Sequence, residues 1–298
     1  MTALELAALA RDGDRRALAR LLSWVEAGVD GIDEALASLP VRREHGPGAP
    51  VVVGLTGPPG SGKSTLVDAL VALARRRGER VAVIAVDPSS PRTGGALLGD
   101  RVRMAAVAGD DGVFVRSLGS RGHLGGLALA VADAIDVFDG TGWDRILIET
   151  VGVGQSEVAV AELADVTVAV LTPESGDAVQ AQKAGLLEIA DVVVVHKADR
   201  PGADALVRAL QAAEPARAVV PASALNGTGL DEVETAIHQA IAHARGAGRA
   251  AWNERRGDGR ERRVLDRVAE RARGAVVAGW TVAERAAVRA GRRRVLPP

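Results

Sequence analysis

Seven stretches of this chain are apolar at almost every position: VVVGLT (51–56), RVAVIAVD (80–87), GVFVRSLG (112–119), DRILIET (144–150), DVTVAVL (165–171), DVVVVHKAD (191–199) and ARAVVPASA (216–224). A strand with one wet face alternates apolar and polar residues, whereas one that is apolar throughout is buried on both faces. The pattern therefore predicts a mostly parallel sheet covered by helices on both sides, an α/β fold. Apolar residues at three- and four-residue steps predict helices within 2–39, after Lys63, near 98–108, near 122–138 and, as a short one, before 165. The Gly/Pro-rich REHGPGAP (43–50) breaks the helical pattern. The expected organisation is an N-terminal helical segment (1–46), a central α/β domain (50–246) and a C-terminal helical extension (252–298) broken near Gly274 and Gly279.

Composition narrows the class. At 298 residues, 47% hydrophobic and 25% charged, the chain can bury a sizeable core. Two Phe and no Tyr leave little with which to stack on single-stranded nucleic acid. The absence of Cys removes disulfides and thiolate metal sites and fits a reducing cytoplasm. Glu5, Asp12 and Asp14 interrupt the apolar N-terminus, unlike a signal peptide. No uncharged stretch approaches the ~20 apolar residues of a membrane span. A soluble cytoplasmic protein is expected. The net charge of −1 is uneven: residues 252–298 hold 13 Arg against 6 acidic side chains. Solvated or partner-facing helices are the plainer reading of that tail, and nucleic-acid binding the other.

The chemistry begins at GLTGPPGSGKST (54–65), where Gly57-x-x-x-x-Gly62-Lys63-Ser64 follows a strand and opens a helix. In that order, backbone N–H groups converge on a β-phosphate, and small residues let the chain approach it closely. The spacing predicts a P-loop NTPase that binds nucleotide through Gly57, Pro58, Pro59, Gly60, Ser61, Gly62, Lys63, Ser64 and Thr65. Lys63 would face the β and γ oxygens, and the Ser64 hydroxyl would ligate Mg²⁺. Carboxylates for the same ion are expected at strand ends: Glu149, Asp87, and Asp100 beyond a Gly/Ser/Pro-rich stretch with the composition of a switch. Gly152 can offer its N–H to a γ-phosphate, and Gln155 is the candidate for positioning water, or else a polar loop residue.

VVVVHKADR (192–200) decides the base. Guanine-nucleotide proteins usually carry Asn-Lys-x-Asp at such a strand end, and His196 stands where the Asn would be. An Asp carboxylate accepts from guanine N1–H and the 2-amino group, neither of which adenine offers, so Asp199 carries the discrimination. Lys197 is expected along the base face. The usual Asn braces the loop and donates to guanine N7; His196 has one N–H with which to take over part of that. PASALNG (221–227) provides a second base loop, with Ser223, Ala224 and Leu225, in which the Ala224 N–H could reach guanine O6.

GPPGSGKSTLVDAL, AVDPSSPRTGGALLGDRVRM, IETVGVGQSE and SGDAVQAQKAGLLEIAD closely resemble the MeaB/ArgK-type GTPases, within the SIMIBI class of P-loop proteins. The similarity covers about 12–246. It implies Mg²⁺-dependent GTP hydrolysis coupled to loading and protecting the cofactor of an adenosylcobalamin-dependent acyl-CoA mutase, chiefly methylmalonyl-CoA mutase. It also implies a homodimer and a partner-responsive loop over 175–188, with Gly176, Asp177 and Lys183. The chain departs from the family at His196 and in its Arg-rich C-terminus. Three other readings stay open. A nickel-delivery GTPase of the same class would need clustered soft or imidazole ligands, yet His45, His123, His196, His238 and His243 are scattered. His238 and His243 are expected on one helix, but a spacing of five turns them roughly 140° apart. A kinase, after an older amino-acid transport label, would need an acceptor pocket and a base. A passive GTP-binding module would need neither.

Overall fold

The computed structural model describes residues 1–40, 49–87, 109–119, 124–150, 156–175 and 185–247. The chain divides into two units, Met1–Arg249 and Ala250–Pro298, the second wholly outside the described residues. Within the first, seven parallel strands form one sheet: β1 (Val51–Thr56), β2 (Val81–Asp87), β3 (Val113–Gly119), β4 (Arg145–Thr150), β5 (Val166–Leu171), β6 (Val192–His196) and β7 (Ala218–Ala222). Their order is β3-β2-β4-β1-β5-β6-β7. All seven expected strands form. The sixth stops at His196, short of the Asp199 to which the expected stretch ran, because Lys197 adopts a left-handed φ of 56°, which no continuing strand accommodates.

Helices cover both faces: α1 (Ala3–Arg11), α2 (Arg15–Ala27), α3 (Ile32–Ser38), α4 (Lys63–Arg76), α5 (Leu124–Gly140), α6 (Ser156–Leu163), α7 (Leu186–Ile189), α8 (Ala203–Ala213) and α9 (Leu230–Ala247). The N-terminal helices are capped locally. Thr2 and Glu5 form a reciprocal capping box on α1, and Asp14 accepts from Arg16 and Ala17 at the start of α2. Side-chain alternation divides the sheet. Val52, Ala82, Ile84 and Ile148 pack with α1–α3, α5 and α6, while Val53, Leu55, Val83 and Leu147 pack with α4 and α9. Both Phe residues join Trp143 in one edge-to-face cluster, Phe114, Phe138 and Trp143 standing 5.7–5.9 Å apart. The helix expected near 98–108 lies outside the described residues.

Three aspartates repeat one device at strand entries. The Asp144 N–H donates to the Arg80 carbonyl while its carboxylate accepts the Arg80 N–H, at 2.9 and 2.8 Å. Asp165 does the same with Val52, and Asp191 with Thr167. Each ties the residue just before one strand to a fixed residue in, or just before, its neighbour.

At the edge of the sheet remote from the strands' carboxyl ends, Arg145 and Glu234 are both almost fully buried and meet at 2.6 Å. Glu79 holds the same guanidinium at 2.8 Å, and Arg77 adds a second donor to Glu234 at 3.1 Å. Removing one partner of such a pair strands the other charge away from water. Glu234→Ala is expected to lower unfolding free energy by about 3 kcal/mol, read from urea denaturation. The double replacement of Arg145 and Glu234 by Leu should recover most of that loss.

Candidate functional site

The carboxyl ends of β1, β4, β5 and β6 open on one edge of the sheet, where ligands of open α/β folds bind. The phosphate loop leaves β1 at Gly57, whose φ is 145°. A Cβ there would lie 2.2 Å from the Val170 carbonyl oxygen, so only glycine lets β1 turn this close to β5. The loop ends at Gly62, which precedes α4 with a φ of 86° and no side-chain cap, leaving the first-turn N–H groups of α4 turned toward the loop.

Lys63 is buried and donates from Nζ to the carbonyls of Gly57 and Pro58, at 2.8 and 3.0 Å. Its ammonium is thus held at the mouth of its own loop. The Ser64 hydroxyl donates to Glu149 Oε1 at 2.5 Å. Glu149 stands opposite Leu55 of β1 and Ala85 of β2, so the sheet register delivers its carboxylate to the first turn of α4. A hydroxyl and a carboxylate oxygen side by side are hard donors of the kind Mg²⁺ accepts, and this pair fits that ion. Asp87 closes β2, the other neighbour of β4. Ser61 and Thr56 bury hydroxyl oxygens with no hydrogen-bond partner beside this loop. One turn below Ser64, burial pushes the Asp68 carboxyl above its usual range. Pro58, Pro59, Gly60 and Thr65 complete the loop and helix start as expected from their spacing. Asp100, Gly152, Gln155, Gly176, Asp177 and Lys183 lie outside the described residues.

On the next strands the base element takes shape. The Ser223 hydroxyl donates to Asp199 Oδ1 at 2.6 Å and is the main cause holding that carboxyl below its usual range, helped by its own backbone N–H. Asp199 is exposed, facing solvent from the turn after β6. His196 ends β6 with its ring buried. Nδ1 is 2.9 Å from the Ser61 carbonyl, and Nε2 accepts from the Ala224 N–H at 3.3 Å. The one ring N–H available for guanine N7 is therefore directed to the phosphate loop, and the ring serves as a brace. Lys197 donates to Glu174 Oε2 at 3.0 Å, and Arg200 donates to the other oxygen. Leu225, in the loop after β7, is 84% exposed. Glu174 escaped sequence reasoning. It sits in a short 3₁₀ turn, Pro173–Ser175, after β5, and its link to Lys197 becomes visible only once β5 and β6 are known to be neighbours. His238 and His243 both fall on α9, where His238 approaches Glu234 at 3.5 Å. Among the described residues no three His, Cys, Asp or Glu side chains cluster as metal ligands. Nor does any described helix have the length and apolarity to cross a membrane.

The family described as methylmalonyl-CoA mutase-associated GTPase MeaB matches residues 18–279. The chain belongs to the MeaB family. A relative from Pyrococcus horikoshii is 54% identical over 201 residues, 67% of this chain and 62% of the relative. A relative from Mycobacterium bovis, whose name includes the word GTPase, is 42% identical over 255 residues, 82% of this chain and 76% of the relative. The chain thus spans about three fifths of the length of the first of these. Among solved structures, one titled as a LAO/AO transport system kinase superposes with a TM-score of 0.67 at 24% identity, covering 92% of this chain and 84% of its own. That likeness bears on the fold, a P-loop α/β sheet flanked by helices.

Two glycine substitutions separate close approach from backbone strain. Gly57→Ala is expected to cost about 2–4 kcal/mol of stability, strain and overpacking together, and to weaken nucleotide binding. Gly60 also has a positive φ, 78°, but nothing lies within 4 Å of a Cβ built there, so Gly60→Ala should cost only about 1 kcal/mol. Thermal unfolding and fluorescent-nucleotide titration of both variants check this.

Proposed function

We propose that this chain is a Mg²⁺-dependent GTP hydrolase that serves an adenosylcobalamin-dependent acyl-CoA mutase of the methylmalonyl type. In that role it would couple its nucleotide cycle to loading and protecting the mutase's cofactor. The observation that carries the reading is one sheet edge holding both the Ser64–Glu149 pair under a glycine-lined phosphate loop and the Asp199–Ser223 pair at the end of β6. The first suits a phosphate chain, the second a guanine edge. The mutase rests on the family's description.

In this mechanism Asp199, held ionised by Ser223, accepts from guanine N1–H and the 2-amino group. The base loop at Ala224 and Leu225 lies along the base, the Ala224 N–H being held by His196 Nε2 and not free for guanine O6 as the sequence suggested, and Lys197 covers the base face. Lys63 leaves the Gly57 and Pro58 carbonyls for the β and γ oxygens, where an ammonium stabilises charge developing in transfer. Ser64 and Glu149, with Asp87 and Asp100, would hold Mg²⁺, which neutralises charge across those oxygens. Gly152 donates its N–H to the γ-phosphate, and Gln155 orients water. The water oxygen bonds to the γ-phosphorus as the bond to the bridging oxygen breaks, and its proton leaves with phosphate, giving GDP and inorganic phosphate. Residues 50–246 are assigned as the GTPase domain and 1–46 as the N-terminal segment, whose helices α1–α3 pack on it. The Arg-rich 252–298 is the candidate dimerisation element of a cytoplasmic homodimer. Segments 87–100, 149–156 and 175–188 respond to the γ-phosphate, and Gly176, Asp177 and Lys183 face the partner.

Lys63→Ala should abolish hydrolysis, about 10²–10³ in rate or more, and strongly weaken binding. Asp199→Asn should shift preference from GTP toward XTP, because an amide donates where the carboxylate accepts and xanthine carries a carbonyl in place of the amine. Unchanged GTP preference would remove Asp199 from the base site. Basal turnover should be slow, since no arginine finger, worth about 10³–10⁵, can be assigned. Phosphate release should rise at least several-fold with mutase from the same cell, and Lys183→Ala should lose that stimulation more than basal rate. No stimulation and no nucleotide-dependent complex would sink the mutase assignment while leaving the GTPase.

A further inference from the structure

His196 touches two loops that are remote in sequence. Its Nδ1 lies 2.9 Å from the carbonyl of Ser61, in the phosphate loop, and a carbonyl can only accept; Nδ1 therefore carries the ring proton. Its Nε2 lies 3.3 Å from the Ala224 N–H, in the base loop, and an N–H can only donate; Nε2 is therefore bare. The Nδ1–Cε1 edge of the ring stands against Gly62, so that a Cβ there would approach Nδ1 to 2.4 Å and Cε1 to 2.6 Å. Both contacts are satisfied by one tautomer of the neutral imidazole, and by no other form. A second proton on Nε2 would set N–H against N–H at Ala224.

We propose that His196 is a positioning residue that joins the phosphate loop to the base loop as one proton-sensitive unit, so that nucleotide affinity falls when this ring is protonated. The inference rests on the nucleotide-site reading above and extends it, since a brace that cannot titrate would carry no such dependence. The surroundings favour the neutral ring. Burial is the largest influence and pushes its pKa below the ordinary imidazole value, the Ser61 carbonyl pulls it up, Lys197 lowers it and Asp199 raises it. From the phosphate loop comes Lys63, whose Nζ bonds the Gly57 and Pro58 carbonyls, and from the end of β5 comes Glu174, engaged with Lys197 and Arg200. The base loop from Pro221 to Gly229 has no ionisable side chain.

The direction follows from linkage. A histidine whose folded pKa is depressed leaves the folded state unaffected above its unfolded value near 6.5. As pH falls from there toward the folded pKa, the unfolded chain takes up a proton that the folded one refuses, and stability declines. Nucleotide binding, which needs the neutral clasp, declines further as the folded pKa is crossed, by at most about tenfold per pH unit for one proton.

The test is equilibrium binding of fluorescent GDP to the full chain between pH 5.5 and 8.0, for wild type, His196→Asn and His196→Ala. Titration of the β-phosphate is common to all three. Asn keeps a donor and an acceptor but has no proton to gain. His196→Asn should retain binding within a few-fold of wild type at pH 7.5. Its affinity at pH 5.5 should fall several-fold less than that of wild type. His196→Ala should bind weakly throughout. Superimposable pH profiles for wild type and His196→Asn would overturn the inference while leaving the nucleotide site intact; no GDP binding by wild type at any pH would overturn both. If the variants do not fold, imidazole ¹⁵N spectra of the wild type decide. A bare Nε2 at neutral pH and a titration below 6.5 support the clasp, and a protonated Nε2 or an ordinary titration overturns it.

Discussion

A parallel sheet has no hairpins to set its register, because each strand returns through a crossover and arrives free to slide. A slip of one residue would turn every side chain to the opposite face. Here Glu149 would then leave Ser64, and the Val53 and Leu55 side chains would leave the α4 side for the α6 side. Asp144, Asp165 and Asp191 oppose that slip by gripping both the N–H and the carbonyl of one residue in, or just before, the neighbouring strand. The grip lies at strand entries, away from the ligand edge, so it constrains the site without occupying it.

From that register the site assembles in two halves. One half belongs to β1 and β4 and gathers Lys63, Ser64 and Glu149, the groups proposed to meet phosphate and metal. The other belongs to β6 and β7 and gathers Asp199 and Ser223, the pair proposed to meet the base. Between them runs β5, whose Val170 carbonyl presses on Gly57 and whose end carries Glu174 against Lys197 and Arg200. Glu174 immediately precedes the segment 175–188 proposed to respond to a partner. A displacement of that segment would thus reach the base element through an ion pair and the phosphate loop through backbone contact. The ion pair is exposed and by itself weak, so the backbone contact is the stiffer of the two routes.

Much of this was legible in the chain alone. Seven strands follow from their largely apolar runs, and Gly57 to Ser64 from spacing on a strand–loop–helix boundary. The end of β6 was less legible. VVVVHKAD reads as one continuous strand, but Lys197 turns left-handed, and no propensity of lysine announces that. Glu174 was illegible, being a lone acid after a Pro with no local partner.

The sequence by itself determined the element types, the sheet class and the phosphate loop, and singled out Asp199 as the candidate base reader, since each depends on periodicity or on neighbours a few residues apart. Only the tertiary structure decided what His196 does. As a residue it could donate to a base, brace a loop or fill a core. Strand order places β6 two strands from β1 and beside β7, and so brings the Ser61 carbonyl and the Ala224 N–H, 135 and 28 residues away, to the two nitrogens of one ring. An imidazole's proton goes where its acceptor lies, and that acceptor exists only after the sheet has formed.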